Sequence, residues 1–136
     1  MITFLGTNGY ISTSWYPQRD TAPTWNYATV HAYGTAKVRT SAQTARDIAA
    51  MVQQMEQGRP NEWLLRELGP GGMQRRLPRI VGFEIEITRL EAKFKMGQDE
   101  RIGDTNAAIT HLEANEIVDL ANMMRTYNQH RSDSEE

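Results

Sequence analysis

From residue 24 to 39 the chain keeps a strict period of two. Even positions carry Ala28, Val30, Ala32, Gly34, Ala36 and Val38, and odd positions carry Trp25, Tyr27, Thr29, His31, Tyr33, Thr35 and Lys37. Such alternation predicts one long strand whose two faces go to opposite sides of a sheet. The even face is small and aliphatic, suited to a tight core. The odd face is aromatic and rich in hydrogen-bonding groups, so something must cover it. Upstream, residues 1–5 predict a strand, Gly6, Asn8 and Gly9 a turn, and Tyr10-Ile11-Ser12 a resumed strand. Downstream, Thr40-Ser41-Ala42-Gln43 spells a capping box. Ala45, Ile48, Val52 and Met55 then recur at helical spacing until Gly58 and Pro60 stop the helix.

Residues 59–78 are less regular, with a short helical piece in "NEWLLREL", a break at "GPGG" and one more turn in "MQRRL". The period returns to two at Val81, Phe83, Ile85 and Ile87, then again at Leu90, Ala92, Phe94 and Met96, which predicts two half-buried strands. Asp104 is placed to cap a helix through about Leu112. Ile117, Leu120, Ala121 and Met124 share one face of another. The expected layout is a single domain over 1–126 followed by a polar tail over 127–136. At least four strands with one capped crossover helix and a helical end predict an α+β, mainly antiparallel sheet or barrel. The β-α-β alternation of a parallel sheet is not seen.

Composition narrows the chemistry. The 136 residues carry a net charge of −2 and no cysteine, which excludes disulfides, thiolate zinc sites and cysteine nucleophiles. The start, MITFLGTNG, has no basic n-region, and no apolar run reaches membrane-spanning length. A cytoplasmic protein is expected, with no membrane partner.

The odd face of the long strand is the leading candidate site. A flat heteroaromatic ligand needs a planar, desolvated surface with a few polar groups at its edge. Trp25, Tyr27, Thr29, His31 and Tyr33 offer one. A subunit interface is the alternative, because Tyr and Trp are enriched there too. His31 is a candidate base, axial haem ligand or hydrogen-bond donor, against the simpler reading of a histidine paired to a neighbouring hydroxyl. His111 and His130 stand isolated from it. Glu84, Glu86 and Glu91 read as surface charge. Arg66, Arg75, Arg76 and Arg79 could meet a few phosphates, but no recognition helix follows them, and a solvated basic loop is the simpler reading. Lys93, Lys95 and Gln98 form a smaller polar row.

Three runs carry a likeness. "YISTSWYP", "PTWNYATVHAYG" and "IVGFEIEITRLEAKFKMGQ" together resemble the PaiB-type FMN-binding negative transcriptional regulators, within the flavin-reductase-like split-barrel group. The resemblance implies a homodimeric antiparallel split β-barrel with peripheral helices, with FMN near the dimer interface and a regulatory role; sequence-specific binding of duplex DNA by this chain alone is expected to be weak. It places Tyr10, Ser12, Trp15 and Tyr16 in the first run, Trp25, Asn26, Tyr27, His31 and Tyr33 in the second, and Lys95 and Gln98 in the third. With Thr29 these are the expected cofactor-binding residues. The family has further strands before the run matching residues 1–5, so this chain is expected to be N-terminally shortened. Position 8 is Asn where the family usually has His. The third run ends Gly97-Gln98-Asp99-Glu100, whose added negative charge disfavours a nearby phosphate. The alternatives are a flavin- or haem-dependent oxidoreductase and a cofactor-free interaction module.

Overall fold

The computed structural model of the chain describes residues 1–131; the rest of the expected polar tail, 132–136, lies outside the described residues. Three strands, β1 (Ile2–Ile11), β2 (Thr24–Val38) and β3 (Phe83–Lys95), form one antiparallel sheet in the order β1-β2-β3. Among the described residues α1 (Ser41–Glu56) and α2 (Gly72–Arg76) lie between β2 and β3, and α3 (Ile102–Ala114) and α4 (Val118–Asn128) follow β3. The class is α+β, as the alternation implies. The sheet is open, with β1 and β3 at its edges, so three strands stand where at least four were expected.

Two corrections account for the difference. The expected turn at Gly6, Asn8 and Gly9 does not form. β1 runs through it, and the pairing with β2 shifts register between Leu5 and Asn8, so the irregular stretch carries a bulge rather than a turn. The two expected strands after Val81 are one. The apolar set changes parity between Ile87 and Leu90, and the continuous strand β3 absorbs that slip.

The chain divides into two compact units, Met1–Tyr33 with Arg89 onward, and Gly34–Thr88. In the first, α3 and α4 pack on the even face of the sheet. Ile11, Ala28, Met96, Ala108, Ile109, Leu112, Leu120, Ala121 and Met124 make its buried core. The fit is close at Gly9, where an added Cβ would lie 2.8 Å from Leu120 Cδ2. Asp104 is not the helix cap that its position suggested. Arg101 occupies that place, and Asp104 sits buried in the first turn of α3, where a carboxylate meets the positive end of the helix.

The second unit is built around α1. Thr40 accepts a hydrogen bond from Gln43 N while the Gln43 side chain accepts one from Thr40 N, so the capping box forms as read. Arg39 donates to Asp47 through Nε and Nη2 at 2.9 Å each and to Glu84 through Nη1 at 2.5 Å. These bonds, the Asp47 one first, raise the guanidinium pKa further. Segment 59–79 adds 3-10 turns at Leu65–Leu68 and Leu77–Arg79 beside α2. Ala36 and Val38, expected in the core, are exposed here, Val38 by 78%. The pair α3 and α4, which buries the even face of the first unit, belongs to that unit alone, and α1 does not cover these two residues.

Candidate functional site

The register between β1 and β2 sorts the candidate residues. Tyr10 lies opposite Trp25, Asn8 opposite Tyr27, Leu5 opposite Thr29 and Thr3 opposite His31. Directly paired residues share a face, so the odd residues of β2 stand in one row with Tyr10 and Asn8. Contacts bear this out. Trp25 Nε1 donates to Asn8 Oδ1 at 3.3 Å, and the Trp25 ring lies 6.3 Å from that of Tyr10. Thr29 Oγ1 donates to the Phe4 carbonyl at 3.3 Å. The His31 and Tyr33 rings meet edge to face at 6.4 Å.

Strand β3 supplies charge to the same row. The Arg89 guanidinium sits 3.7 Å from the Tyr33 ring centre, and Lys93 Nζ lies 5.9 Å from that of Tyr27. Tyr33 Oη donates to Glu91 Oε2 at 3.0 Å, while Glu91 also accepts from Arg89. Cations held against ring faces are drawn by the ring quadrupole. The row thus pairs rings with fixed positive charge. Arg89 and Glu91 were not among the expected site residues. Their signal was the odd-numbered charges of β3, which share a period with the odd face of β2.

Other candidates lie elsewhere. Asn26 is an even residue and buried on the helical side, where its Nδ2 donates to Met124 Sδ at 3.5 Å and its Oδ1 has no partner among the described residues. Tyr16 is also buried on that side. Its hydroxyl pKa is pushed up to about 12, first by burial and then by the carboxylates of Glu100, Asp104 and Asp99. Trp15 stacks on His111 of α3, rings 4.1 Å apart, so that histidine is not isolated. Ser12 caps the 3-10 turn at Thr13–Trp15 by accepting from Ser14 N. Gln98 folds back on its own strand end, accepting from Met96 N at 2.6 Å and donating to the Phe94 carbonyl at 2.8 Å. Lys95 donates to Thr24 Oγ1 and lies 3.9 Å from Asp99. The residues of the three runs therefore divide between the aromatic row and the packing of the first unit.

The remaining groups are structural. Arg101 grips Asp20 with both nitrogens, at 2.7 and 3.1 Å, and this hydrogen bonding lowers the Asp20 pKa. In the second unit, Ala49, Val52, Gln53, Glu56, Trp63 and Leu65 help line a groove of about 580 Å³. Its carboxylates are engaged locally, Glu56 accepting from Trp63 N and Glu62 from Gly58 N. Among the described residues no cluster of three or more His, Asp or Glu could hold a metal ion. No helix among them is long and apolar enough to cross a membrane.

Comparison with known proteins gives the class. The family model described as "Putative FMN-binding domain" matches residues 1–89, and the chain belongs to that family. It is 34% identical over 116 residues to the protease synthase and sporulation protein PAI 2 of Bacillus subtilis, covering 85% of this chain and 56% of that protein. Uncharacterised proteins of Emericella nidulans and Aspergillus fumigatus are 26% and 29% identical. They cover 76% and 67% of this chain and 47% and 41% of their own lengths. The chain spans about half the length of the curated relatives it matches. The family supports a flavin ligand, and nothing in these likenesses favours the haem alternative.

Proposed function

We propose that this chain is the FMN-binding part of a PaiB-like regulatory protein, with the flavin ring seated on the odd face of β2. The observation that carries the reading is the row Trp25, Tyr27, His31 and Tyr33, set beside Arg89 and Lys93, in a member of an FMN-binding family. The residues fit the group: the rings, tilted to one another, supply stacking faces, and Thr29, His31 and the β3 cations supply polar edges. When bound, FMN would add redox chemistry or a ligand signal. The chain's own part is to stack the ring, exclude water and set charge at its rim. Of the expected cofactor residues, Tyr10, Trp25, Tyr27, Thr29, His31 and Tyr33 are the ones this reading keeps in contact with the ligand. Ser12, Trp15, Tyr16, Asn26 and Gln98 hold the frame, and Lys95 closes its end.

A homodimer belongs to the same reading. A second copy placed along the open sheet would complete a split barrel and cover what the flavin leaves exposed. The regulatory role rests on the name of the B. subtilis relative, which couples it to protease synthesis and sporulation. Arg75 and Arg76 of the basic segment donate to the carbonyls of Pro70 and Gly72. The net charge is −2 and β3, not a recognition helix, follows this segment, which favours regulation through a ligand or a partner over direct contact with duplex DNA.

Titration with FMN, followed by quenching of flavin fluorescence, tests the ligand. Saturable binding is expected, and Tyr27→Ala should weaken it by roughly tenfold, the scale of one lost ring contact. Retained folding with no saturable FMN binding by the wild-type protein would end the proposal.

A further inference from the structure

A second cavity lies between α3 and α4, on the helical side of the first unit. It holds about 360 Å³ and is lined by Ile102, Asn106, Ile109, Thr110, Arg125, Asn128, Gln129 and Arg131, with no carboxylate among them. Its two cations differ in how they are held. Arg125 is neutralised by Glu113, to which its Nη2 donates at 2.5 Å. Arg131 instead donates to neutral oxygens: Nη1 to the Gly97 carbonyl at 3.1 Å and to Asn128 Oδ1 at 2.9 Å, and Nη2 to the Glu100 carbonyl at 2.6 Å. Carbonyls orient a guanidinium without cancelling its charge. The fork is fixed and half-buried, and among the described residues no carboxylate pairs with it; Asp99, in the turn that holds it, lies against Lys95 at 3.9 Å.

The neutral groups of the lining favour the same ligand sign. Asn106 and Gln129 are exposed at the mouth, and each can present an amide N–H. Thr110 beside them keeps its hydroxyl proton on the Asn106 carbonyl, at 3.0 Å. The buried Asn128 is itself held rigidly, donating to the carbonyls of Met96 and Met124 at 2.9 and 2.7 Å. Ile102 and Ile109 form an apolar floor that lowers the local dielectric and lengthens the reach of the charge. We propose that the α3–α4 cavity is an anion site for a phosphate group, with Arg131 as the charge that binds it and Asn106 and Gln129 as further donors. A tetrahedral oxyanion suits this set because its oxygens can each take a separate donor. The site stands on the face of the sheet opposite the aromatic row, so it is independent of the flavin proposal.

The test is a titration of the full chain with inorganic phosphate at constant ionic strength, read by amide chemical shifts of α3 and α4. Glycerol phosphate, titrated in parallel, distinguishes a phosphomonoester from the free ion. Saturable shifts confined to this cavity are expected for at least one of the two, against none for chloride. Arg131→Gln should weaken binding by roughly tenfold or more, the scale of one charged hydrogen bond. Because Arg131 also ties the Gly97 and Glu100 carbonyls, a second variant guards against misfolding. Asn106→Asp, at an exposed position of α3, puts a negative charge into the mouth and should weaken binding with the fold intact. Equal shifts with chloride and phosphate, or phosphate binding unchanged in a folded Asn106→Asp protein, would overturn the site.

Discussion

Tyr16 shows how a single side chain can carry a pH dependence through burial. Its hydroxyl sits in the first unit's core, within the field of Glu100, Asp104 and Asp99, and its pKa rises from 10.0 to about 12. A group whose folded pKa is raised holds its proton longer in the native state than in the unfolded chain. The associated stability is full below pH 10 and is lost as pH climbs towards 12. Urea unfolding across that window should show the wild type losing stability relative to Tyr16→Phe, with the two curves parallel at neutral pH. Parallel curves throughout would mean that Tyr16 ionises freely. Asn26 raises a related point at the same scale. Its buried Oδ1 lacks a partner among the described residues, and such a group costs free energy unless something is brought to it.

At the scale of elements, the capping box and the close strand approach make the sharpest claims. Thr40→Ala removes the side-chain acceptor for Gln43 N and the first half of the reciprocal box. A loss of about 1 kcal/mol in a thermal or urea melt is expected. Gly34 sits where an added Cβ would be 2.1 Å from the Glu86 carbonyl oxygen and 2.8 Å from Ile85 Cγ2. Backbone cannot swing aside as a side-chain tip can. Gly34→Ala should therefore cost about 3 kcal/mol, or leave the protein insoluble, as judged by its unfolding midpoint. The glycines of β1 act more gently, because the atom nearest Gly9 is the movable end of Leu120.

At the scale of the whole molecule, exposed apolar side chains set the question. Phe4 and Leu5 on one edge strand and Phe83, Ile87 and Leu90 on the other are each more than half exposed. Unpaired edges and apolar surface together invite association. A second copy of the chain that covers the aromatic row should be disrupted by Tyr33→Asp, which sets a carboxylate beside Glu91. Sedimentation should then show a dimer for the wild type and a shift towards monomer for the variant. A wild type that sediments as a folded monomer would remove the dimer from the reading.

Much of this was legible in one dimension. The alternation through β2 determined that Trp25, Tyr27, Thr29, His31 and Tyr33 share a face, and Thr40-Ser41-Ala42-Gln43 determined where α1 begins. Both are local, since strand parity and capping involve residues only a few places apart. The three runs that resemble the FMN-binding family likewise pointed to the class, which the family match over residues 1–89 bears out. Tertiary structure decided which partner each face meets. Asn26, on the even face by parity, met Met124 of α4 through a contact spanning 98 residues of sequence. Trp15 found His111, and Arg89 and Lys93 met the rings, through pairings that no local period encodes. The parity change between Ile87 and Leu90 reads as a break in sequence, yet hydrogen bonding to a neighbouring strand carried β3 through it. Periodicity specifies a face. Only the packed chain specifies what lies against it.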